Sequence, residues 1–148
     1  MRKSAVLLVL AVTMAAGAAR ASDAALAKQF GLPGEWALDC TLSASPANMH
    51  QAFVLKPDGA VSGIVYVGPT YPPEYQKLTD LKQADAATLI VTFTRESDGH
   101  KSRVTLKKSG NKMHAWDSTD IGTNVPLIRE AMFVHAKRPV PWITKCGK

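Results

Sequence analysis

The chain has 148 residues, enough for one domain and too few for two. Eighteen Lys and Arg stand against twelve Asp and Glu, a net charge of +6, and there are two cysteines. An excess this mild is a weak basis for nucleic-acid recognition, so nucleic acid is not an expected partner, and two cysteines allow one internal disulfide.

Residues 1–21 are expected to be an export signal. Arg2 and Lys3 give a positive start, Ala5 to Ala16 is an apolar run, and Ala19-Arg20-Ala21 is an A-x-A cleavage signal. A membrane anchor is the alternative, but the run is too short to span a bilayer as a helix. No cysteine follows it that would take a lipid. The expected product is a single domain, 22–148, periplasmic or secreted, without a stable membrane anchor. Losing Arg2, Lys3 and Arg20 leaves fifteen basic residues against twelve acidic ones. They are unevenly spread: residues 22–100 carry −4 and residues 101–148 carry +7.

Ser22-Asp23 before Ala24 to Phe30 predicts a short capped helix, ended by Gly31. Leu26 and Phe30, four apart, share a face that covers one end of a core. Gly34 to Leu42 then alternates strictly, with Trp36, Leu38, Cys40 and Leu42 on one side, as a half-buried strand does. Further strands are predicted at 49–55, 60–67, 76–83, 88–95, 101–108, 112–118 and 127–134. Gln51, Phe53 and Leu55 alternate in the second, and Val61, Gly63, Val65 and Val67 in the third. The fifth, with Leu89, Val91 and Phe93 inward, is the most strongly β by composition. In the sixth, Val104 and Leu106 face in while Lys101, Arg103, Thr105 and Lys107 face out.

Eight strands without a long helix predict an all-β antiparallel meander barrel. Its second, fourth and sixth connections are tight turns at Lys56-Pro57-Asp58-Gly59, Ala84 to Ala87 and Ser109-Gly110-Asn111. The first (43–48), third (68–75), fifth (96–100) and seventh (119–126) are longer. Odd and even connections lie at opposite ends of a meander, so one end carries all the long loops. An exported chain meets an oxidising compartment, which predicts a Cys40–Cys146 disulfide rather than two buried thiols. Trp36 and Cys40 share parity, however. Either a bulge at Ala37 to Asp39 turns Cys40 outward, or the tail from Pro139 to Cys146 plugs the barrel.

A short N-terminal helix, Gly34-x-Trp36 on the first of eight strands, and alternating loop lengths resemble the lipocalin-like (calycin) barrels. The chain is also similar to small exported bacterial proteins that open with G-x-W-x-x-x-C and close with P-W-x-x-x-C, here Pro141 to Cys146. The first resemblance implies a β-barrel that binds a ligand at its mouth, with the C-terminal region tied back by the disulfide. The second implies no activity.

The histidines at positions 50, 100, 114 and 135 stand in no H-x-H or H-E-x-x-H spacing, and no metal or other cofactor is expected. No G-x-S-x-G elbow or phosphate loop is present, and no enzyme is expected. His114, Trp116 and Ser118 alternate onto one face, where Trp116 is either an aromatic cavity wall or simply core. Gly68 to Tyr75, with three prolines, is a stiff loop whose tyrosines suit either an interface or packing on the barrel rim. Lys101, Arg103, Lys107, Lys108 and Lys112 read as a solvated strand face or as a docking patch for an acidic surface. The expectation is a non-catalytic binder with Asn48, Tyr71, Tyr75, His100, Trp116 and Asn124 as ligand- or partner-binding residues. Its partner is a small molecule at the long-loop end or, alternatively, a secreted protein such as an enzyme that it inhibits.

Overall fold

The computed structural model describes residues 21–147, so the predicted export signal, apart from Ala21, lies outside the described residues. Helix α1 (Asp23–Phe30) starts where the Ser22 hydroxyl accepts the Ala25 N–H at 3.2 Å. It stops at Gly31, whose φ of 80° is left-handed. The last carbonyls of the helix are met by cations: Lys108 Nζ donates to Phe30 O at 2.6 Å, and Lys145 Nζ to Gly31 O at 2.8 Å.

Ten strands follow: β1 (Gly34–Ala37), β2 (His50–Leu55), β3 (Val61–Tyr66), β4 (Glu74–Asp85), β5 (Thr88–Arg95), β6 (Lys101–Ser109), β7 (Lys112–Asp120), β8 (Pro126–Arg129), β9 (Met132–Phe133) and β10 (Ile143–Cys146). Strands β1 to β7 pair in sequence order, all antiparallel. Strand β10 closes the ring, pairing with β1 on one side and with the start of β7 on the other. The result is a closed eight-stranded antiparallel barrel, with β8 and β9 forming a hairpin that extends from β7 outside the ring.

Three expectations are corrected here. The predicted strand 34–42 ends at Ala37, and Leu38 and Leu42 are exposed rather than inward. The predicted eighth strand, 127–134, is two short strands outside the ring; the tail supplies the eighth wall strand instead. The parity conflict at Cys40 disappears for the same reason. Trp36 faces in, opposite Lys145, so Cys146 and its partner Glu35 face the other way. Cys40 lies beyond the strand end, free of its alternation, and reaches Cys146 to form the disulfide across 106 residues.

The two poles differ. At the turn pole lie the connections after β2, β4 and β6, and α1. Here Phe30, Leu32, Trp36, Val61, Leu78, Leu89, Val91 and Met113 form a core whose members are all under 2% or at most 2% exposed. The G-x-W segment has a physical reason in this core. Trp36 Nε1–H donates to Leu32 O at 2.9 Å, and Lys145 Nζ lies 5.6 Å from its ring centroid. Gly34 has φ 122° and a Cβ there would sit 3.0 Å from Lys145 Cε, so a side chain would be both strained and crowded. The register shift in β4 between Thr79 and Lys82, with Asp80 at φ 55°, serves the same pole. The Leu81 N–H in this bulge donates to Asp23 Oδ1 of α1 at 3.0 Å. At the loop pole lie the segments 38–49, 67–73, 96–100 and 121–125.

Candidate functional site

The barrel interior is packed at the turn pole and open above it. A cavity of about 340 Å³ is lined by Phe93, Val104, Leu106, Met113, Ile143 and neighbouring apolar side chains, with Gln51, Gln76, Ser102 and Ser118 among them. It exists because β10 is four residues long and engages β7 only at Lys112 and Met113. Beyond that point the gap is covered by Ile128 and Phe133 of the β8–β9 hairpin and by Val140 and Pro141 of the tail. Among the described residues, the lining includes no Lys, Arg, Asp or Glu, and His114 is its one titratable side chain. Gln76 Oε1 is buried without a partner, against Gly63.

Outside the ring, a second and more open hollow of about 850 Å³ lies on the outer face of β1, β2 and β3. Glu35, His50, Ala52 and Tyr66 form its base, and Ser43, Ala44, Gly68, Pro69, Tyr71 and Pro73 its walls. His50 Nδ1 and Glu35 Oε1 form a close pair. His50 Nε2 sits 3.0 Å from Leu42 O and 3.1 Å from Asn48 Nδ2.

The six predicted binding residues do not form one site. Asn48 is 5% exposed and organises a loop: Oδ1 accepts the Asp39 N–H, and Nδ2 reaches Asp39 O, Leu42 O and Ser43 O at 3.0 to 3.4 Å. Tyr71 and Tyr75 are 55% and 51% exposed, but only Tyr71 lines the outer hollow; Tyr75 belongs to β4. His100 Nε2 meets Asp120 Oδ2 at 3.1 Å and Ser102 Oγ at 3.3 Å. Asp120 is held below the usual carboxylate range, chiefly by the Thr123 backbone N–H. These three side chains do not make a nucleophilic relay, which needs the acid and the hydroxyl on opposite ring nitrogens. Asn124 lines a small hollow beside them with Arg103 and Ile121.

Trp116 needs a correction. It does not share a face with Ser118 or belong to the core. A register shift opposite Thr105 and Leu106 leaves Trp116 unpaired and turns Ser118 into the interior. Trp116 instead packs on the outside, with Lys107 Nζ 3.5 Å above its ring. His114 stacks on Trp142 of the tail with ring centroids 3.7 Å apart. Of the basic run, Lys107 and Lys108 thus hold Trp116 and α1.

Sequence reasoning missed Glu35 and His50, and underused Gln51, Gln76 and Ser118. For Gln51 the signal was present: a polar residue in register with Phe53 and Leu55 marks an inward face that is not fully packed. Glu35 and His50 gave none, because their meeting depends on strand register.

Among the described residues, no group of three or more His, Cys, Asp or Glu could hold a metal, and no helix is long and apolar enough to cross a membrane. Comparison with family models, curated proteins and solved structures gives no match. The closed antiparallel barrel is compatible with a lipocalin-like fold.

Proposed function

We propose that the protein is an exported, non-catalytic, lipocalin-like carrier of a small, uncharged, mainly apolar molecule, held in the upper half of the barrel. The observation that carries this reading is the interior cavity of about 340 Å³ above a packed floor. Ligand pockets run from roughly 300 to 1,000 Å³, so the space suits a compact ligand. An ionised ligand would find no opposite charge among the lining side chains, and burying it unpaired would be costly. The disulfide supports the exported setting, since such bonds persist in oxidising compartments.

Titration with the apolar fluorophore N-phenyl-1-naphthylamine tests this. Ser118, buried and facing the cavity, is the place to fill it. Ser118→Leu and Ser118→Phe should abolish probe uptake while the barrel stays folded by circular dichroism. Uptake unchanged in a folded, filled variant, or absent from the wild type, overturns the reading. The rival reading is a protein-binding module using residues 68–75 and 119–126, supported by the exposed Tyr71 and Tyr75. It is favoured if native mass spectrometry of protein from its own host finds a protein partner and no small adduct.

A further inference from the structure

The outer hollow is separate from the barrel interior: its base is the opposite face of the β1–β2–β3 wall. Glu35 is the acid in it, with its side chain 50% exposed. Oε1 is engaged by His50, and among the described residues no hydrogen bond is made to the other carboxylate oxygen. His50 Nδ1 pairs with Glu35, while its Nε2 lies 3.0 Å from Leu42 O and 3.1 Å from Asn48 Nδ2. Two aromatic rings, Tyr66 and Tyr71, and two prolines, Pro69 and Pro73, wall the hollow, and Ala52 leaves its base shallow. Among the described residues, no lysine or arginine lines it.

The wider charge pattern agrees. Every lining residue comes from the stretch 22–100, which carries −4, whereas the basic hairpin β6–β7 lies across the ring from β2–β3. Tyrosine rings and a half-exposed carboxylate, in a hollow that no lysine or arginine among the described residues lines, are the chemistry that recognises an alkylated ammonium group. We infer that the outer hollow is a binding site for a small free organic cation, such as a quaternary amine.

The probes are choline and its uncharged isostere 3,3-dimethylbutan-1-ol, followed by the chemical shifts of the 35–73 amides. Choline should bind at least about five-fold more tightly, the scale of a solvent-accessible cation–π contact plus a carboxylate, and added salt should weaken it. Glu35→Gln keeps an acceptor for His50 and should lower choline affinity about five-fold. Tyr71→Ala, at an exposed loop position that the fold does not need, should lower it about two- to five-fold. Equal affinity for the two probes, or no shift with choline, overturns the inference. So does binding to phosphatidylcholine vesicles without binding to free choline, which would point to a membrane surface. Filling the interior at Ser118 should leave choline binding unchanged, which separates this site from the barrel cavity.

Discussion

The two poles of the barrel are held together by different physics. The turn pole is an apolar core, sealed by a helix whose ends are tied by Asp23, Lys108 and Lys145. The loop pole is held by local polar contacts: Asn48 in the first loop, His50 with Glu35, and His100 with Asp120. Burial stabilises in proportion to the apolar area removed from water, so the barrel's stability should concentrate at the turn pole. That concentration leaves the upper interior and the outer hollow free to remain unfilled. Placing Trp36, Phe30 and Leu32 at one end is therefore what makes a cavity tolerable at the other.

The largest expected effect tests this division directly. Trp36→Ala removes a side chain that is 1% exposed together with its hydrogen bond to Leu32 O. It should cost roughly 3–5 kcal/mol in urea melts. A loss below about 1 kcal/mol would mean that the turn pole does not carry the stability. Next is the disulfide. Replacing Cys40 and Cys146 by serine opens a 106-residue loop, and loss of such a bridge from a small domain costs about 2–5 kcal/mol. Because Cys146 ends β10, the wall strand that closes the ring, hydrogen exchange should accelerate in β10 and β1 before β5 and β6. Uniform acceleration would show that the closure is not a separable unit.

Much of the turn pole was legible in the sequence. The helix cap at Ser22, the Gly31 stop, the inward Leu89 and Val91, and the parity of Trp36 are local signals that the fold preserves. The placement of the long loops at one end followed from strand counting, and it holds although the eighth strand was misplaced. What failed was non-local. Nothing in Ile143-Thr144-Lys145-Cys146 distinguishes a closing strand from a tail, because its pairing partners are about a hundred residues away in β1 and about thirty in β7. The early end of β1 was hidden because alternation continues through Leu42 after the strand has stopped. Bulges hid the rest: the shift opposite Thr105 and Leu106 separates Trp116 from Ser118, and no turn residue marks it.

At the loop pole the effects should be smaller and more confined. Asn48→Ala leaves the Asp39 N–H and several carbonyls of residues 39–43 without their partner. The expected cost is about 1–3 kcal/mol, that of buried polar groups left unsatisfied. The division predicts that faster exchange stays within residues 38–50. If the amides of Leu89 and Val91 accelerate equally, the loop is coupled to the core and the poles are not independent.

The smallest effect lies where the tail crosses from one pole to the other. His114 is buried against Trp142, with Nδ1 lacking a partner, and burial pushes its pKa below the ordinary histidine value. The Val140 backbone opposes that shift and the nearby Lys107 charge reinforces it. A histidine with a depressed folded-state pKa binds protons more readily when unfolded. The folded state therefore loses stability as pH falls through the unfolded value near 6.5 toward the lower folded value, and keeps its full advantage above it. The informative quantity is a difference between two proteins. His114→Phe keeps a flat ring for Trp142 and removes the proton site. Between pH 7.5 and pH 5.5 the wild type should lose more stability than the variant, by less than about 1 kcal/mol in thermal or urea melts. Parallel pH profiles would mean that the tail opens freely at Trp142 and hydrates the ring. In that case the cover over the barrel cavity, which begins at Val140 and Pro141, is looser than the core beneath it.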